Sequence, residues 1–333
     1  MNPKPGIVVA AVALIASLTA CDSGRDALTI YSGRDEALIG PLLEQFSEDE
    51  DIAIDVRYGD SADLALLIAE EGEDTPADVF LSQSPGAVGF LATQDLLGGL
   101  SSDELSAVDP RFESDDGRWI GLSARQRVLV YNQELVSEEE LPDSVLDMSD
   151  EQYAGDVALA PTNGSFQDFV TAMRQIEGEE VAEQWVADMA ANESPTYADN
   201  SSIVDAVARG EVPMGLVNHY YNFRKLEEDP DAPSRNYVFP NSDIGSLLIA
   251  STGSIIASTE MQEKATEFID YLLTDDAQQF YSDETFEYPL TEGVEPSADL
   301  PPLESLDTPE VDLNDLGAGL RDTARLIDAS GLL

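Results

Sequence analysis

The chain has 333 residues, 43% of them hydrophobic, enough for two ordinary domains with cores of their own. Its formal net charge is −51, spread along the sequence rather than gathered in a tail, and such a field excludes nucleic acid and anionic lipid as partners. With one His and one Cys there is no Cys/His metal cluster, no intrachain disulfide and little for acid–base catalysis, so an enzyme is not expected. The dispersed carboxylates read as a solvated acidic surface suited to high salt; a surface that gathers cations is the second reading.

Lys4 precedes an apolar run from Ile7 to Leu18. That is too short for a membrane helix, which needs about 20 residues, but it suits the core of a signal peptide over residues 1–20. Leu18-Thr19-Ala20-Cys21 resembles the lipobox of bacterial lipoproteins, in which the cysteine is lipidated and becomes the new N-terminus. The alternative is a cleaved secretory signal followed by an incidental cysteine. No later segment is apolar enough to span a bilayer, so the mature chain is expected to be a soluble extracytoplasmic domain held by a lipid on Cys21.

After a short linker through residue 27, Leu28-Thr29-Ile30-Tyr31 reads as a strand closed by the turn Ser32-Gly33-Arg34-Asp35. Leu38, Ile39, Leu42, Leu43 and Phe46 then recur at helical spacing. Ile52, Ile54, Val56 and Tyr58 alternate with Ala53, Asp55 and Arg57 as in a half-buried strand, and a helix with Leu64, Leu67 and Ile68 follows. Asp78 to Ser82 is the next strand, with Ser84-Pro85 as N-cap and first helical residue. This alternation is the grammar of a parallel α/β sheet.

It resumes beyond Arg125-Gln126-Arg127 with strands at Val128–Tyr131 and Val157–Ala160. A helix with Phe166, Phe169, Val170, Met173 and Ile176 follows, for which Ser165 and Asp168 form a plausible capping pair. Val181, Trp185 and Met189 mark the next helix. Another, bearing Ile203, Val204 and Val207, is expected to be capped by Asn200 or Ser201. Val212 to Val217 is a buried strand, and Glu227 to Asn236 has the composition of a loop. Leu247 to Ala257 is apolar and small, a helix carries Ala265, Phe268, Ile269 and Leu272, and residues 293–309 read as an extended linker before a last helix over Leu316–Leu326.

Asn218-His219-Tyr220-Tyr221 follows the buried strand. Two adjacent tyrosines on a continuing strand point to opposite faces, one to the core and one to the surface. If the strand ends at Asn218, both phenols can turn into one space. A phenol loses its proton near pH ~10, so the pair is inert unless a strong cation is present; a hard trivalent metal, which prefers anionic oxygen, is such a cation.

Leu28–Arg34, Pro76–Phe80, Arg125–Tyr131, Asn218–Tyr221 and Glu287-Tyr288-Pro289-Leu290 fall in the order seen in bacterial ferric-ion-binding proteins, the substrate-binding subunits of iron(III) ABC importers, and the chain resembles that family from Leu28 to its C-terminus. The resemblance implies a two-lobed α/β fold of the periplasmic-binding-protein type II class, with the ligand cleft between lobes joined by a hinge. Lobe 1 is expected over 28–126 and 251–293 and lobe 2 over 127–250, with crossings near Gln126 and Ala250 and the segment 294–333 packed on both. It also implies Fe³⁺ as transported ligand, a permease and ATPase as partners, and a monomer.

Carried over residue by residue, Tyr220 and Tyr221 match the phenolate ligands, and Asn218 matches a residue that helps hold an accompanying anion. Asn163-Gly164-Ser165 matches the anion loop, where carbonate, phosphate or another small anion would bind; free N–H groups at a helix start favour this independently. Asn200 matches a further amide donor. For the asparagines, plain helix and turn caps remain the alternative. Of Arg125 and Arg127, one is expected to face the cleft and the other to be a structural ion-pair partner. Two positions depart from the family: Asp35 stands where many members have a histidine ligand, and Gln83 where many have a glutamate. One change adds a negative charge and the other removes one, leaving the total opposite the metal unchanged. Asp35 is therefore the candidate third ligand, with Glu36 as the alternative. His219 matches no ligand position and is expected to be a surface or packing residue. The competing reading is the same fold binding another small solute, a polyamine, thiamine or an oxyanion, on which the tyrosines would stack.

Overall fold

The computed structural model describes residues 27–297 and 300–333. The expected signal segment and Cys21 lie outside the described residues.

The first elements follow the expected alternation: β1 (Leu28–Ser32), α1 (Glu36–Asp49), β2 (Ile54–Tyr58), α2 (Ser61–Glu71) and β3 (Val79–Ser82). β1 lies between β2 and β3, parallel to both. α3 (Pro85–Ala92) starts as anticipated, Ser84 Oγ accepting from the Ala87 N–H at 3.2 Å with Pro85 in the first turn. After the one-turn α4 (Ser102–Leu105) comes β4 (Ile120–Asn132), in which all thirteen residues are buried. The apolar signal covered only its last third, because Ser123, Arg125, Gln126 and Arg127 interrupt it.

β5 (Val157–Ala158), α5 (Gly164–Ile176), α6 (Glu179–Ala191), α7 (Asn200–Ala208), β6 (Met214–Asn218), α8 (His219–Glu228) and β7 (Ser234–Tyr237) build the second half. β8 (Leu248–Ile255), α9 (Gln262–Leu272), α10 (Asp275–Thr285), β9 (Tyr288–Pro289) and α11 (Leu316–Ser330) complete the chain. The strands join in the order β2-β1-β3-β8-β4-β6-β5, with β7 and β9 also paired to β4.

β4 belongs to both halves. From Ile120 to Gln126 it pairs antiparallel with β8, and from Arg127 to Tyr131 with β6. The change of partner falls between Gln126, opposite Leu248, and Arg127, opposite Asn218. The result is a two-lobed α/β fold. One apolar layer fills the lobes, and a smaller one, built from Val128, Val130, Ile203, Val204, Val207 and Val217, takes in Tyr220, Tyr221 and Phe286. α11 packs on α3 and α5, its Thr323 hydroxyl 2.7 Å from that of Thr171.

Several local expectations are corrected. α5 is capped by Asn163, whose Oδ1 accepts from the Ser165 N–H at 3.0 Å; Asp168 turns instead to Ser84. α7 is capped by Asp199, not Asn200 or Ser201: in a run of four cap-forming residues the first reaches the Ser202 N–H at 2.7 Å. Residues 227–236 are not one loop. Glu227 and Glu228 close α8, and β7 begins at Ser234 as an edge strand directly after Pro233, a place where proline costs no ladder bond. Of Val157–Ala160 only the first two residues form a strand, Leu159 continuing as a single bridge to Thr196. α10 carried too few apolar residues to read as a helix, yet it buries Ala277 and Tyr281.

Candidate functional site

β6 stops at Asn218 and the chain turns directly into α8, so Tyr220 and Tyr221 occupy its first turn. Their rings stack, centroids 4.2 Å apart and planes 28° from parallel. Tyr220 is fully buried and its hydroxyl has no hydrogen-bond partner among the described residues. Tyr221 is 7% exposed and opens on a cavity of about 330 Å³.

That cavity sits beyond the C-terminal ends of β1, β2 and β3, where open α/β sheets place their ligands. Asp35, Asp60, Asn163 and Asp199, which line it, are the N-cap residues of α1, α2, α5 and α7, and Tyr221 comes from the first turn of α8. Five helix N-termini thus converge on one space. Gln83, Gly164 and Glu36 line it too. Asp60 and Asp199 escaped the sequence reading; an aspartate just before a helical pattern was the available signal, but it marks a cap whether or not the cap faces a cleft.

Behind the tyrosines lies a buried polar layer. Ser165 Oγ accepts from Arg125 Nη2 at 3.1 Å and from Asn218 Nδ2 at 3.2 Å. The Asn218 Oδ1 and Asn200 Nδ2 atoms have no partner among the described residues. Arg127 is fully buried with its guanidinium near the rings of Phe166 and Phe169, its centre 5.2 Å from the latter. Among the described residues neither Arg125 nor Arg127 makes an ion pair, which corrects the expectation for one of them. The buried ion pair is Arg34–Glu287, two-pronged and tied also to the Thr285 hydroxyl. Arg127 and Asn200 do not line the cavity, nor do Arg125 and Asn218.

His219 is a packing residue. Its Nδ1 accepts from the Gln126 N–H at 3.1 Å, so the other ring nitrogen carries the proton and donates to the Phe286 carbonyl at 2.8 Å. Burial lowers its pKa to about 4, so the ring is neutral at physiological pH.

Burial pushes Tyr221 up to about 12, with the charge of Asp35 adding to the effect. Tyr220 is raised well above its ordinary value by burial and by Tyr221 and Glu287, against the pull of Arg34 and Arg125. Asp35 is raised by burial, with Arg34 opposing and Asp199 reinforcing the shift. No three His, Cys, Asp or Glu side chains among the described residues gather as a metal site. Tyr221 lines the cavity and Tyr220 stacks behind it, and burial keeps both phenols protonated at neutral pH.

A cavity at the C-terminal ends of the strands of a shared α/β sheet, lined by five helix starts, has the form of a small-solute site. The chain belongs to the bacterial extracellular solute-binding protein family, whose model matches residues 74–311, and within it to the ferric-ion-binding group. It is 30% identical to the Fe(3+)-binding periplasmic protein of Serratia marcescens over 99% of this chain and 97% of that one. It is 28% identical to the major ferric iron-binding protein of Neisseria meningitidis over 96% and 97%. The crystal structure of iron-bound HitA from Pseudomonas aeruginosa superposes with a TM-score of 0.88 at 32% identity, covering 92% of this chain and 99% of that one. These relatives are binding proteins, not enzymes.

Proposed function

We propose that the protein captures ferric ion outside the cytoplasm and delivers it to the permease and ATPase of an ABC importer, acting as a monomer tethered by lipid on Cys21. Lobe 1 comprises 28–126 and 251–293, lobe 2 comprises 127–250, and the metal binds between them. Tyr220 and Tyr221 supply two phenolates and Asp35 a carboxylate, which together balance the three charges of Fe³⁺. A small anion, carbonate, phosphate or a carboxylate, completes the oxygen shell at Asn163, Gly164 and Ser165, with Asn200, Asn218 and Arg125 behind it and Gln83 on the opposite wall. Arg127 supports that layer from beneath.

The observation that carries this reading is the stacked tyrosine pair beside a cavity that Tyr221 shares with Asp35. The relatives named for ferric iron support the same cargo. Asp35 is favoured over Glu36 because its charge acts on Tyr221. The test is competitive titration of the stripped protein with ferric citrate, a polyamine, thiamine and phosphate. Tight binding of ferric ion alone supports the proposal; binding of an organic cation or oxyanion with no response to iron overturns it.

A further inference from the structure

The seam between the lobes carries a contact that no metal or anion ligand explains. Ser84 stands at the start of α3, on the β1–β3 side, and Asp168 lies on α5, on the β5–β7 side. Both are buried, and Ser84 Oγ donates to Asp168 Oδ1 at 2.7 Å. The other carboxylate oxygen has no partner among the described residues. Glycine backbone lies against side chains on both sides of the contact: a Cβ at Gly86 would lie 2.4 Å from Asp168 Oδ1, and one at Gly164 would lie 3.4 Å from Ser84 Cβ. Neither glycine has a positive φ, so their smallness serves the approach of the lobes and not a turn.

We propose that the Ser84–Asp168 hydrogen bond is a latch holding the two lobes shut, with Asp168 a positioning residue that sets how slowly the cargo leaves. This rests on the two-lobed ferric reading above. The bond joins residues from opposite lobes, so opening must break it and return both groups to water. The charged groups facing Asp168 are Arg125 and Arg127 of β4, neither in an ion pair with it; burial outweighs the Ser84 bond, these two charges and the Gly86 backbone, and raises the carboxyl to about 7. An asparagine would therefore mimic its neutral form and keep the same acceptor.

The test follows release of ferric ion to excess chelator by loss of the visible band, alongside small-angle scattering of the free chain. Asp168→Ala and Gly86→Ala are expected to speed release about tenfold, the effect of one buried hydrogen bond, without moving the band. Both should enlarge the radius of gyration of the free chain. Asp168→Asn should stay within about twofold of wild type. Gly86→Ala strikes the same contact from the other side without removing the carboxylate, and a far-UV circular-dichroism spectrum matching the wild type guards both it and Asp168→Ala against misfolding. Release at the wild-type rate in both Asp168→Ala and Gly86→Ala overturns the latch. If the wild type shows no ferric band, the ferric reading fails instead and scattering alone decides: an unchanged radius in both variants overturns the latch, and an enlarged one sustains it.

Discussion

Arg34 and Glu287, 253 positions apart in the sequence, meet as a two-pronged ion pair in the interior beside the tyrosines. Burial alone would raise the Glu287 carboxyl, but the Arg34 charge and its two hydrogen bonds hold it below the usual glutamate range. Arg34 is the residue before Asp35, so the pair also fixes the turn that presents that carboxylate to the cavity.

Glu287→Gln should therefore destabilise the protein by about 3–5 kcal/mol, because it strands a buried guanidinium. A joint replacement of Arg34 and Glu287 by apolar residues of similar volume should recover much of that loss in chemical denaturation. The sign of the pH effect follows from the depressed carboxyl: the stabilisation is complete above the unfolded glutamate value near pH ~4.3 and drains away as pH falls through the lower folded value. Denaturation midpoints measured from pH 7 to 3 should fall in acid for the wild type and less steeply for the apolar double variant.

Asp35→Asn should weaken ferric binding by at least about tenfold while leaving the protein coloured, since it removes a carboxylate and not a phenolate. Glu36→Gln should change the affinity little. The opposite pattern in ferric titrations would transfer the role of third ligand to Glu36.

The polar layer behind the tyrosines leads to a prediction about anions. Ferric affinity should rise when carbonate, phosphate or a small carboxylate is added to anion-depleted buffer, and Asn163→Ala together with Ser165→Ala should blunt that rise. Equal affinity in every buffer would remove the anion from the mechanism.

The first βαβαβ run was legible because its apolar residues keep strict helical and strand periods, and the Ser84-Pro85 helix start was legible from cap chemistry. The end of β6 at Asn218 was the condition on which the tyrosine pair depended, and α8 meets it by starting at His219. What stayed hidden are relationships across the chain. Nothing local to Arg125-Gln126-Arg127 says that it lies inside a thirteen-residue buried strand, since buried charges break the apolar pattern that marks a strand. Likewise Arg34 and Glu287 each close or open a block that carries the family resemblance, but nothing local to either block says that the two side chains pair until the fold brings them together. Asp168 looked like a helix cap for the same reason: its partner, Ser84, lies 84 positions away at the start of α3.

The central claim is that Tyr220 and Tyr221 hold ferric ion as phenolates, and the visible absorption of the iron-loaded protein tests it most directly. Ferric phenolates absorb visible light by ligand-to-metal charge transfer, whereas carboxylates bound to iron do not give such a band. With their pKa values raised by burial, the phenols should release protons as iron binds, and acidification should bleach the protein as protons reclaim them. The account predicts a coloured wild type, a weakened band in both Tyr220→Phe and Tyr221→Phe, and no band in the double variant. A wild type that stays colourless with ferric citrate, or a double variant that keeps its colour, would contradict it.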